Sequence, residues 1–138
     1  MNIWSIAARL ALFLCVSIFV GAFDANAQIK VSDIALKSGE SAEMGITYWI
    51  QRGATCRSTL EKIEGVEILE GPPELAITIK EEPVLPNDCA KKVPGGRVVI
   101  SAKDVTAPFH GKLVYRIKFK TKDGDRQSSY IYNLALYP

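Results

Sequence analysis

The chain has 138 residues with 17 basic and 15 acidic side chains, a formal net charge of +2, one histidine and three cysteines. That length supports one hydrophobic core and is too short for two. The near-balance of charge excludes a strongly basic nucleic-acid module and an acidic disordered tail.

The hydrophobic content of 48% is unevenly spread, because residues 1–27 hold far more than their share. One positive charge, Arg9, precedes an uncharged apolar block over 10–22, and Ala25-Asn26-Ala27 follows as a small–x–small tripeptide. This order reads as a cleaved export signal at 1–27, leaving 28–138 as a single exported domain, periplasmic or secreted. A retained membrane anchor would need an uninterrupted apolar span, and Arg9 breaks it. Cys15 follows Leu14 rather than a small residue, which argues against lipid modification. Cleavage leaves Cys56 and Cys89, an even pair that in an oxidising compartment reads as one structural disulfide. On the chain-entropy account, a bridge closing a loop of this size stabilises by about 3–4 kcal/mol.

Beyond residue 28, apolar and polar residues alternate with period two between regularly spaced turns. An extended segment over 29–36 ends at Lys37-Ser38-Gly39-Glu40. Ala42, Met44, Ile46, Tyr48 and Ile50 then form the apolar face of a strand that breaks at Arg52-Gly53-Ala54. Residues 58–64 admit two readings: Ser58-Thr59-Leu60-Glu61 fits a capping box for one helical turn, and the stretch also suits an extended chain. Val66 to Leu69 is extended, Gly71-Pro72-Pro73 turns, and Leu75, Ile77 and Ile79 mark another strand. The Pro- and Gly-rich run 82–96 reads as a loop containing Cys89, followed by a short strand over 97–102. After a turn at 107–111, Leu113, Tyr115, Ile117 and Phe119 line one strand face. Lys122-Asp123-Gly124-Asp125 reverses the chain, and Tyr130, Tyr132, Leu134 and Leu136 return on the inward side. About seven strands without a βαβ rhythm predict an all-β, two-sheet sandwich of immunoglobulin-like type with one disulfide.

Two local patterns, GPPELAI at 71–77 and APFHGKLVYRI at 107–117, resemble those of bacterial immunoglobulin-like and cadherin-like domains of exported proteins. The Cys56/Cys89 pair and KVPGGR at 92–97 resemble small single-domain periplasmic relatives, so the likeness spans 55–138. It implies a sandwich fold. It does not carry a calcium site across, because Lys112-Leu113 stand where calcium-binding members place an acidic residue. Nor is the pattern antibody-like, since Trp49 precedes both cysteines.

Chemistry is sparse. His110, alone among histidines, sits beside Gly111 in a turn, without the companions that zinc ligation or a nucleophile–base pair requires. The glutamates Glu61, Glu64, Glu67, Glu70, Glu74, Glu81 and Glu82 read as a solvated face rather than as a glycosidase pair or a calcium loop. No cofactor, metal site or catalytic residue is expected. Tyr115, Tyr130 and Tyr132 read as core rather than as a binding platform. Charge polarity is the sharper signal: residues 28–90 carry a net −5 and residues 91–138 a net +7. Within the second half Arg116, Lys118, Lys120 and Lys122 recur every other residue and would line one strand face at about 6.5–7 Å intervals. Such a row could contact an anionic envelope polysaccharide, or pair with glutamates across the sheet. The sequence therefore points to an exported, non-catalytic binding or structural module. The alternative is a protein-binding periplasmic inhibitor that uses the disulfide-pinned loop 86–96. No nucleic-acid partner is expected, and no stable membrane span after cleavage.

Overall fold

The computed structural model describes residues 31–51 and 56–138. The segment 1–27 read from the sequence as an export signal, the first residues of the segment 29–36 and the break at Arg52-Gly53-Ala54 lie outside them.

Seven strands make up the described chain: β1 (Ser32–Lys37), β2 (Ser41–Tyr48), β3 (Leu60–Glu70), β4 (Leu75–Val84), β5 (Val93–Ala102), β6 (Phe109–Thr121) and β7 (Gly124–Tyr137). They form a four-stranded sheet in the order β1-β7-β6-β3 and a three-stranded sheet in the order β2-β5-β4. Every pairing is antiparallel except β1 with β7, which runs parallel from Ser32 opposite Tyr132 to Lys37 opposite Tyr137. Apart from β1, the strands follow the seven-stranded immunoglobulin arrangement, in which strands 2, 5 and 4 face strands 3, 6 and 7.

The chain crosses between sheets at Ser38-Gly39-Glu40. The Ser38 N–H donates to Tyr137 of the first sheet at 2.8 Å, and the Gly39 N–H to Ala102 of the second at 2.8 Å. Gly39 makes that step with φ +85°, in the left-handed region open to glycine at little cost. At the opposite end the β2–β3 connection, the β4–β5 connection and the β6–β7 hairpin lie together. Cys56 is bonded to Cys89 there, with Cα atoms 5.7 Å apart, and the Lys122 N–H donates to Thr59 at 3.0 Å.

Alternation fills the space between the sheets. Leu113, Tyr115, Ile117 and Phe119 of β6 are at most 2% exposed and meet Val98 and Ile100 of β5 and Leu75 and Ile77 of β4. Leu36, Leu134 and Leu136 close the β1 side. Dense burial of this kind is the main favourable contribution to folding.

Three features depart from the sequence expectation. First, β2 carries a register shift between Glu43 and Gly45, where Gly45 has φ +117°. A one-residue bulge turns all later side chains over. Ala42 and Met44 pack on the core as expected, but Ile46 is 37% exposed and Thr47 only 2%. Trp49, not Tyr48, then packs inward, 5.6 Å from Phe119 between ring centroids.

Second, residues from Leu60 onward are strand, with no helical turn. Shifts in the β3–β6 register fall between Leu60 and Lys62 and between Ile63 and Gly65. Each adds a residue, so Leu60, Ile63 and Val66 all reach the core at a spacing of three that mimics a helix. Ser58 Oγ does accept a backbone N–H, that of Leu60 at 3.2 Å, while it donates to the Trp49 carbonyl at 3.3 Å. Its capping chemistry serves entry into a strand.

Third, the run 82–96 is largely hairpin. β4 and β5 pair through Glu82–Gly95, Pro83–Pro94 and Val84–Val93, leaving only residues 85–92 as loop. Facing prolines are compatible with an antiparallel ladder because alternate residue pairs exchange no hydrogen bonds. Likewise β6 begins at Phe109, so His110 is an exposed strand residue, edge-on to Tyr137 at 5.7 Å.

Candidate binding surfaces at the hairpin end

The β6–β7 hairpin presents the basic residues to solvent. Thr121, 4% exposed, fixes the reversal: its Oγ1 donates to the Gly124 carbonyl at 2.7 Å and accepts the Asp123 N–H at 3.2 Å. Gly124 has φ +108° whereas Asp123 does not adopt positive φ, so the glycine alone carries the left-handed step.

Arg116, Lys118 and Lys120 point outward from β6, as alternation with the buried odd-numbered residues requires; Lys122 lies in the turn. They are not equivalent. Arg116 binds Glu67 of β3 through Nε at 2.9 Å and Nη2 at 2.8 Å, and Lys118 Nζ reaches the same carboxylate oxygen at 3.2 Å. The Arg116 hydrogen bond, followed by that of Lys118, holds the Glu67 carboxyl below the usual carboxylate range. Solvent screens all three groups, so these pairs add little to stability. Lys120 stands opposite Lys62 on one side and Asp125 on the other. Lys62, Lys120 and Lys122 thus make a basic corner where the row leaves Glu67 behind.

The outer face of the second sheet is more fully compensated. Arg97 bonds both Glu82 and, at 3.1 Å, Glu43, while Lys80 lies 3.9 Å from Glu82. Among the described residues no group of three His, Cys, Asp or Glu is placed to share a metal ion, and no helix is long and apolar enough to cross a membrane.

Tyr115, 2% exposed, stacks on Tyr130 at 5.0 Å and on Tyr132 at 6.0 Å between the sheets. Burial, reinforced by Tyr132, pushes its phenol far above the ordinary range. Tyr130 is half-buried and also borders a solvent-open cleft of about 640 Å³ between the end of β2 and the hairpin. Tyr48 and Trp49 border it from β2 and its extension, and Gln51, Asp123 and Arg126 supply polar groups.

Arg126 is fixed in place: Nη1 donates to the Asp125 carbonyl at 2.9 Å and Nη2 to the Asp123 carbonyl at 3.1 Å. Sequence reasoning singles out neither this arginine nor the aromatic grouping as a site. Arg126 shares the face of Ser128 and Tyr130 by strand alternation, which is legible, but Trp49 joins them only because the Gly45 bulge inverts β2. The sequence-predicted row and this cleft lie on opposite sides of one hairpin.

Cys89 pins the loop 85–92, where Pro86 is buried and Leu85 is 50% exposed. No protein-family model matches the chain, and no curated protein matches it significantly.

Proposed function

We propose that this chain is exported after loss of residues 1–27 and serves as a non-catalytic binding module of the bacterial immunoglobulin-like/cadherin-like type, holding an anionic polymer of the cell envelope. One observation carries the reading. Lys62 and Lys120 stand directly opposite each other across the β3–β6 ladder, Asp125 is the neighbour of Lys120 across the β6–β7 ladder, and Lys122 follows in the turn. Like charges in that relation lower stability by a few tenths of a kcal/mol to about 1 kcal/mol. A repeating anion that spans the corner would turn this repulsion into attraction, since one polymer can contact several ammonium groups at once. The bonded Cys56–Cys89 pair is consistent with an oxidising compartment.

Titration of the native protein with dextran sulfate tests the proposal. Affinity is expected to fall at least tenfold between 50 and 300 mM salt, as surface electrostatics require. A Lys62→Glu/Lys120→Glu double variant is expected to lose a further tenfold. Binding indifferent to both salt and these changes contradicts the proposal.

The second reading is a protein-binding inhibitor. The exposed Leu85, on a loop tied at Cys89, favours it, because an apolar anchor on a preorganised loop is what a protein partner buries. That reading calls for one-to-one capture of a protein that withstands high salt and is lost in Leu85→Asp.

A further inference from the structure

We infer that the cleft beneath the β6–β7 hairpin takes one carboxylated pyranose, the acidic sugar unit of a polysaccharide. The inference deepens the proposal above and rests on its reading of the ligand as an anionic polymer. It specifies the chemistry by which one unit of that polymer is read.

Arg126 supplies the charge. Its two hydrogen bonds to the Asp123 and Asp125 carbonyls occupy two of the five donors of a guanidinium and fix its plane. Among the described residues no carboxylate lies within ion-pairing distance of it, in contrast to Arg97 and Arg116. A cation held by neutral carbonyls keeps its full charge for a ligand and loses little further side-chain entropy on binding one. The anion it suits is a carboxylate. Arg126 is the one cation among the residues lining the cleft and Asp123 lines it too, so the balance of charge suits a singly charged carboxylate better than a doubly charged phosphate, which Asp123 opposes more strongly.

The remaining walls select a sugar. Tyr48, Trp49 and Tyr130 provide flat apolar surface of the kind that packs against the C–H faces of a pyranose, with polar edges left to bond hydroxyls. Asp123 accepts hydrogen bonds, and the Gln51 amide can both donate and accept, as ring hydroxyls demand. The cleft volume of about 640 Å³ lies within the range of small-molecule sites. Lys120 and Lys122 stand on the same hairpin but do not line the cleft, so the cleft and the basic corner are separate contacts that one polymer reaches only by passing round the turn.

The test is a calorimetric and fluorescence titration of the native protein with trimers of galacturonic and of glucuronic acid, with their methyl esters, and with dextran sulfate. Trp49 is the reporter, and Trp49→Phe is expected to abolish the fluorescence change. At least one acid trimer is expected to bind tenfold or more tightly than its ester. Arg126→Gln and Arg126→Lys are expected to remove that tenfold advantage while leaving the ester unchanged, and circular dichroism of both variants verifies the fold. Lys62→Glu/Lys120→Glu is expected to lose dextran sulfate but to hold the trimers within twofold. Equal binding of acid and ester, or indifference to Arg126, overturns the cleft assignment. So does failure of both acid trimers while dextran sulfate still binds in a salt-dependent way, and in that case the basic corner stands alone. Failure of dextran sulfate together with selective acid-trimer binding removes the corner and leaves the cleft. Binding of a short acidic peptide in preference to every sugar also overturns the inference.

Discussion

Thr47 is the residue at which this fold departs furthest from a satisfied core. It is 2% exposed, and its Oγ1 has no hydrogen-bond partner among the described residues. A buried hydroxyl left unpaired costs about 1–3 kcal/mol. Thr47→Val keeps the branched shape and removes that cost. Thermal unfolding of the variant is expected to show a gain of about 1 kcal/mol, a rise in Tm of about 4 °C for a domain of this size. A fall in Tm would mean that Oγ1 has a partner.

Tyr115 makes the second prediction at this scale. Folding raises its phenol pKa through burial. The unfolded chain releases the proton near pH 10 and the folded protein does not, so the contribution of this group is complete below about pH 10 and is lost as pH rises further. Denaturant midpoints measured from pH 8 to 12 are expected to decline above pH 10, and Tyr115→Phe is expected to reduce the decline. An identical slope in the variant would contradict the assignment.

Elements obey period-two logic wherever a strand has no bulge. β6 and the inward face of β7 were legible residue by residue, since Leu113 to Phe119 and Tyr130 to Leu136 alternate without interruption. β2 and β3 were legible only in part. Gly45 and Gly65, with φ +117° and +142°, mark the places where an inserted residue changes the facing side, and nothing in the apolar pattern signals which glycine will do so. The 82–96 run has the composition of a loop, yet its prolines and glycines at both ends serve tight strand pairing.

Gly95 shows why. A Cβ at that position would lie 2.3 Å from the Thr47 carbonyl oxygen and 2.6 Å from Val84 Cγ2, so β2 could approach no side chain there. Gly95→Ala is expected to destabilise by about 1–3 kcal/mol, as overpacking does. Denaturant unfolding with an unchanged m-value would read this, and an unaltered midpoint would show that β2 can shift away.

For the candidate site the same division holds. The basic residues were legible as a row, but Glu67, which takes up Arg116 and Lys118, is brought to them only by long-range strand pairing. Pairings of that kind depend on register, and three shifts in the β3–β6 ladder put it beyond the reach of alternation.

At the scale of the whole molecule, the sandwich is fastened differently at its two ends. One end is tied by backbone hydrogen bonds from Ser38 and Gly39 to both sheets, and the other by Cys56–Cys89. The bridge does not join the two sheets through the core; it holds two connections beside the hairpin that carries the basic corner. Cys56→Ser/Cys89→Ser is therefore expected to lower stability by about 3–4 kcal/mol while preserving the strand content by circular dichroism. Thiol titration of the native protein under denaturant is expected to find neither of these two sulfhydryls free.

Anion recognition is proposed for one hairpin and the strand that pairs with it. Amide chemical-shift mapping of the native protein with dextran sulfate tests that placement most directly. Perturbations are expected at Lys62, at Lys120 and in the turn at Lys122, with the Arg97 face of the second sheet unmoved. Shifts centred on that second face, or none at saturating polymer, would contradict it.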